Sequence, residues 1–258
     1  MTTTIRSLTT RPRRLVALCA SAGLALALGA CGDDDDDDAE ADAPAVCAPY
    51  IDVSISFNGE PDPATLGPLL DQVDENAPEE IADSLAVMTG GARDVLETGD
   101  FTAFESPEFA EAQSEVDSWM FENCEFDETA EVTAKDYSFE GLPDTLDAGT
   151  AAILLTNDGA EPHEMAVMRK AEGVTQSWEE ILALPQEEAE ALVLQVGGAF
   201  APTNGAKGLA LLELVPGDYV VACFVPTGTT MTADGEFTEG TGAPHFMAGM
   251  VKEFKVEA

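Results

Sequence analysis

The run Gly217-Asp218-Tyr219-Val220-Val221-Ala222-Cys223 is built from aromatic and β-branched residues and ends in a cysteine. Opened by the turn Pro216-Gly217-Asp218, it reads as a strand that continues to Val225, and Leu209 to Val215 reads as its neighbour across the turn. Outward from this pair the same texture recurs. Val132, Ala134, Tyr137 and Phe139 suggest a first strand with bends. Thr150 to Asn157 is a strongly apolar strand, His163 to Met168 begins another, and Met250 to Val256 forms the last. Met165 and Met168 fall within a strand and are assigned to core packing. A helical excursion, Gln176 to about Val196, interrupts the series and is broken in two by Pro185. Roughly seven or eight strands in ~130 residues make a β-sandwich, with the helices packed on its outside.

Upstream, residues 45–127 read as a small helical bundle. Leu66, Leu69, Leu70 and Val73 recur at spacings of three and four within Pro61 to Glu75. Pro78 opens a second helix carrying Ile81, Leu85 and Met88, which Gly90-Gly91 weakens. A third runs from about Ser106 to Glu122, with Phe109, Val116, Trp119 and Met120 on one side. No histidine, nucleophile motif or phosphate-binding loop occurs in this region, which leaves it a structural or docking module.

The first 44 residues read differently again. Arg6, Arg11, Arg13 and Arg14 flank an apolar run from Leu15 to Ala30, and no acid occurs before Asp33. That is a secretory signal peptide over residues 1–30, too short in its apolar core to prefer spanning a bilayer. Leu28-Gly29-Ala30-Cys31 resembles the lipobox of bacterial lipoproteins, which implies cleavage before Cys31 and lipidation of its thiol. Residues 31–44, with six aspartates from Asp33 to Asp38, read as a solvated acidic tether. The formal charge of the chain is −39, and loss of residues 1–30 removes four arginines and no acid. Nucleic acid is therefore excluded as a partner, and membrane contact is expected through the lipid anchor alone.

Cysteine usage fits an exported protein. Cys19 is expected to leave with the signal peptide and Cys31 to be acylated. Cys47 and Cys124 bracket the helical region and are the expected disulfide, which leaves Cys223 as a lone thiol.

The chain holds only two histidines. His163 ends Asn157-Asp158-Gly159-Ala160-Glu161-Pro162-His163, and His245 opens Pro244-His245-Phe246-Met247-Ala248-Gly249-Met250, with Cys223 between them. Two imidazoles, a thiolate and a weak thioether are the donor set of a blue-copper site. These three motifs, in this order, resemble those of plastocyanin-like cupredoxins: a strand-end loop with the first histidine, a Gly-x-Tyr strand leading to cysteine, and a final histidine-to-methionine loop. The resemblance implies a Greek-key cupredoxin-like sandwich of residues 128–258. It also implies one type 1-like copper held by His163, Cys223 and His245, with Met250 as axial donor in preference to Met247. Two departures stand out. Cys223 and His245 are 22 residues apart where the family has a tight loop, and Glu164 follows the first histidine where plastocyanins have a neutral amide. The excursion contains Met231-Thr232-Ala233-Asp234-Gly235-Glu236-Phe237-Thr238, which reads as a hairpin that returns its ends side by side. Lengthening the loop sevenfold costs only about 2 kcal/mol of closure entropy.

The expected architecture is thus an all-β cupredoxin-like sandwich with a helical insertion, preceded by a disulfide-tied helical domain. The expected function is a lipid-anchored, extracytoplasmic copper protein that carries electrons to a redox partner protein or holds copper. No catalytic role is expected, because no histidine is spare for a further copper. The alternative is a copper-free interaction module of a surface lipoprotein.

Overall fold

The computed structural model describes residues 43–59, 61–231 and 237–258. The signal peptide, Cys31 and nearly all of the tether lie outside the described residues, as does the Asp234-Gly235 turn. Four helices come first: α1 (Cys47–Phe57), α2 (Pro63–Glu75), α3 (Ala82–Thr98) and α4 (Pro107–Asn123). The strands that follow are β1 (Glu128–Lys135), β2 (Ser138–Glu140), β3 (Thr145–Asp147), β4 (Gly149–Asn157) and β5 (His163–Lys170). Two short helices, α5 (Trp178–Leu182) and α6 (Gln186–Glu190), precede β6 (Val193–Ala201), β7 (Lys207–Leu214) and β8 (Gly217–Ala222). A two-stranded ribbon, β9 (Thr230–Met231) with β10 (Phe237–Thr238), and β11 (Val251–Glu257) complete the chain.

One sheet has the order β2-β1-β4-β7 and the other β3-β11-β8-β5-β6. Within the first, β1 and β4 run parallel and β4 and β7 antiparallel. The second is antiparallel except where β3 joins β11. Ala151, Ile153 and Leu155 of β4 face Met165, Val167, Tyr219, Val221 and Phe254 across the sandwich interior.

Both sheets are covered on their outer faces as well, which explains strands that are apolar throughout rather than alternating. Ala152 of β4 and Leu211 of β7 belong to the core made by α1 to α4. Val220 and Ala222 of β8 pack with Met168 against Trp178 and Ile181 of α5. The helical insertion therefore lies on the outside of the second sheet, as its apolar periodicity implies. Tyr219 closes the turn before β8: its buried hydroxyl donates to the Val215 carbonyl at 2.8 Å and accepts from the Val215 N–H at 3.1 Å.

The edge strand β7 is shielded by helical side chains. Asp117 accepts from the Leu209 N–H at 2.8 Å, Ser114 accepts from the Lys207 N–H at 3.1 Å, and Asn58 donates to the Leu211 carbonyl at 3.0 Å. Helix starts follow capping chemistry. Asp62 and Ser106 cap α2 and α4 ahead of a proline, and Ser177 with Glu180 forms a capping box on α5. The Cys47–Cys124 disulfide is present and ties the start of α1 to the end of α4.

Two details differ from the sequence reading. Helix α3 continues through Gly90-Gly91, because Gly91 is where the Phe109 ring of α4 approaches; a Cβ there would lie 3.1 Å from it. The helical excursion ends at Glu190, and Val193 to Ala201 is instead the edge strand β6 of the second sheet.

Candidate metal centre

His163 is the first residue of β5, and the loop before it is shaped by Asn157. This buried amide accepts from the Gly159 N–H at 2.8 Å and donates to the carbonyls of Glu161 and Ala201, each at 2.9 Å. Asp136, in the turn between β1 and β2, accepts from the Ala160 N–H at 3.0 Å and faces His163 Nε2 at 3.2 Å. Gly159 lies against both groups: a Cβ would run into the Asp136 carboxylate and the His163 ring. The sequence needs glycine here for close approach rather than for a turn.

Cys223 directly follows β8 and is fully buried and unpaired in a disulfide. Its N–H donates to the Met250 carbonyl at 3.2 Å, and its carbonyl accepts from the Phe246 N–H at 2.8 Å. Both final-loop contacts place the cysteine beside the third motif. The Glu164 N–H donates to Cys223 Sγ at 3.4 Å. Burial pushes the thiol up to about 11, aided by the Glu164 and Glu161 carboxylates and opposed by the backbone N–H groups of Glu164 and Val225.

His245 opens a 3-10 turn, His245–Ala248. The excursion that separates it from Cys223 returns alongside its own start, as a hairpin-like insertion should. The His245 N–H donates to the Val225 carbonyl at 3.0 Å, Thr227 N–H donates to Ala243 at 3.0 Å, and Gly242 N–H donates back to Thr227 at 3.1 Å. Antiparallel pairing of β9 with β10 continues this ladder.

These elements bring His163, Cys223 and His245 together. One donor atom from each lies within 4.8 Å of the others, and all three residues are buried. Metal bonds to imidazole and thiolate of about 2.0–2.3 Å then need the donors to close by up to about 1 Å. His245 Nδ1 stands 3.4 Å from Cys223 Sγ. His163 Nδ1 is buried and has no hydrogen-bond partner, a state that is costly unless something else takes the lone pair. Each histidine turns its other nitrogen to a carboxylate: His163 Nε2 to Asp136, and His245 Nε2 to Glu161 Oε2 at 3.0 Å. A carboxylate accepts Nε2–H, which leaves both Nδ1 atoms as lone-pair donors. Burial, with the nearby His245, lowers the His163 pKa and keeps it neutral against the pull of Asp136. The donor set therefore fits one type 1-like copper ion.

Met250 is fully buried, one residue before β11, in the same apolar core as Cys223. Its N–H donates to the His245 carbonyl at 3.1 Å. Met247, the competing thioether, is 65 % exposed. Glu164 is not a free surface acid: its carboxylate accepts from the Phe224 N–H at 2.9 Å, and burial raises its pKa. It braces the two ligand-bearing strands. Three partners had no visible signal in the sequence: Asp136, Glu161 and Tyr137. The Tyr137 ring packs edge-on against His245, 4.9 Å between centroids.

No protein-family model and no curated protein matches this chain. Among solved structures, auracyanin B is similar at 18% identity over 53% of this chain and 93% of that one, with a TM-score of 0.32. Auracyanin A, described as a "blue" copper protein from Chloroflexus aurantiacus, is similar at 14% identity over 50% and 98%, with a TM-score of 0.31. Reduced rusticyanin is similar at 17% identity over 55% and 95%, with a TM-score of 0.29. By its own two-sheet topology and its buried histidine–cysteine–histidine group, the β-sandwich of this chain is a cupredoxin-like domain.

Proposed function

We propose that this chain is a lipid-anchored, extracytoplasmic copper protein that passes single electrons to and from a redox partner protein. The observation that carries the reading is the unpartnered His163 Nδ1, buried beside the Cys223 thiol and His245 Nδ1. When bound, copper supplies one-electron chemistry at near-constant geometry. The chain's residues do the rest. His163, Cys223 and His245 would hold the ion, with Met250 as a weak thioether donor. The Glu164 N–H orients the cysteine sulfur, and the apolar packing around it excludes water.

The arginine-flanked apolar run and Leu28-Gly29-Ala30-Cys31 support export and anchoring, and the Cys47–Cys124 disulfide suits an oxidising compartment. Among the described residues no helix is long and apolar enough to cross a membrane. Both histidines are used by the one site, so the chain itself catalyses no reaction in this reading.

The test is a visible spectrum of the purified full-length chain titrated with Cu(II). One equivalent taken up with an intense thiolate-to-copper charge-transfer band is expected, and Cys223→Ser should abolish the band while leaving the circular dichroism unchanged. A parent protein that binds no copper in either oxidation state would overturn the reading in favour of a metal-free interaction module.

A further inference from the structure

We infer that Glu161 is a positioning residue of the metal centre, which fastens His245 and the base of the 21-residue excursion in the place a tight loop would otherwise supply. The inference rests on the copper reading above. Its basis is one carboxylate that meets three separate segments. Oε2 accepts from the Gly228 N–H at 2.7 Å and from His245 Nε2 at 3.0 Å, and Oε1 accepts from the Tyr137 hydroxyl at 3.1 Å. Gly228 stands where the excursion leaves, His245 where it returns, and Tyr137 in the β1–β2 turn. Glu161 itself lies two residues before His163, and its carbonyl is held by the Asn157 amide. A single side chain thus links both histidine loops to the insertion between the second and third ligands.

A short connection fixes the separation of two ligands covalently. A long one does not, and the returning strand must be registered by other contacts. The backbone pairs between 225–227 and 242–245 align the two ends, but none of them grips the imidazole. The charge-assisted bond from Glu161 does so, and it selects the tautomer that leaves Nδ1 toward Cys223. The same carboxylate adds a full negative charge beyond the imidazole, which favours the more highly charged state of a bound ion.

The test separates clamp from charge. In Glu161→Gln, the amide oxygen in the place of Oε2 still accepts from Gly228 and His245, and the amide nitrogen in the place of Oε1 donates to the Tyr137 oxygen. All three bonds survive and only the charge is lost. Glu161→Ala removes both. In the full-length copper-loaded chain, Glu161→Gln should keep one copper and the charge-transfer band but show a higher reduction potential than the parent. Glu161→Ala should bind copper at least tenfold more weakly. In the metal-free chain, Glu161→Ala should speed amide exchange across 226–231 and 237–245, with Gly228 affected most. Parent-like potential, affinity and exchange in both variants would overturn the inference. Faster exchange in Glu161→Ala from a parent that takes up no copper would uphold the positioning role while refuting the copper reading.

Discussion

Asp117 is a carboxylate only 3 % exposed, and its two oxygens are spent on the Tyr50 hydroxyl at 3.0 Å and the Leu209 N–H at 2.8 Å. Burial raises its pKa from 3.8 to about 7, against the hydrogen bonds from Leu209, Tyr50 and Gln113. The raised value fixes the direction of a pH effect. Below about pH 4 the group is protonated in both the folded and the unfolded chain and costs nothing. Between about 4 and 7 the unfolded chain ionises first, so stability falls as pH rises, by up to about 4 kcal/mol. Asp117→Asn should flatten this fall when urea unfolding is followed from pH 4 to 8; an unchanged slope would refute the assignment.

The same scale explains what could be read at the metal centre. His163, Cys223 and His245 were legible because their residue types are scarce: two histidines, and one cysteine in the C-terminal half. Asp136 and Glu161 were not, because they are two among 50 acidic residues, and nothing local distinguishes a carboxylate that caps an imidazole from one that faces water. Glu161 stood within the quoted histidine motif, but its partners Tyr137, Gly228 and His245 come from elements far away in sequence.

Among the elements, α3 shows how a helix tolerates two adjacent glycines for different reasons. Nothing lies within 4 Å of a Cβ on Gly90, whereas one on Gly91 would press on the Phe109 ring at 3.1 Å and on Phe104 at 3.4 Å. Gly90→Ala should therefore stabilise the protein by about 0.5–1 kcal/mol, as expected where only helix propensity is at stake. Gly91→Ala should destabilise it by about 1–3 kcal/mol through overpacking between α3 and α4. Urea midpoints of the two variants on either side of the parent would confirm this; equal shifts would refute it. The strand run around Cys223 was legible because β-branched and aromatic residues bounded by Pro216-Gly217 leave little choice. The start of β6 was missed because it follows directly on the apolar helical excursion, although Leu192, Leu194 and Val196 recur at every second position as in a strand. Pairing with β5 along the sheet edge holds the extended form, with a register shift between Val167 and Met168 that leaves Val196 unpaired.

At the level of the whole molecule, the helical layer and the sandwich share apolar contacts and the hydrogen bonds that shield β7. The Cys47–Cys124 link spans 77 residues of the helical layer alone. Chain-entropy reasoning puts its worth at about 4 kcal/mol, most of it through the unfolded state. Cys47→Ala/Cys124→Ala should lower stability by about 2–4 kcal/mol, and helix and sandwich signals should still unfold in one coincident transition. Two separated transitions would show that the layers are independent.

The burial of both imidazoles has a consequence for traffic at the surface. His163 and His245 are 0 % exposed, and their outer nitrogens end on the carboxylates of Asp136 and Glu161. The residue after Cys223, Phe224, is 37 % exposed, and Met247, two beyond His245, is 65 % exposed, with the rings of Phe224 and Phe246 5.1 Å apart. Carboxylates thus back both imidazoles, while the apolar side chains next to Cys223 and His245 in sequence reach the surface. Dissolved anions approaching the histidines meet negative charge, so in the electron-transfer reading proposed above the exposed Phe224 and Met247 are the contact offered to a partner with an apolar face.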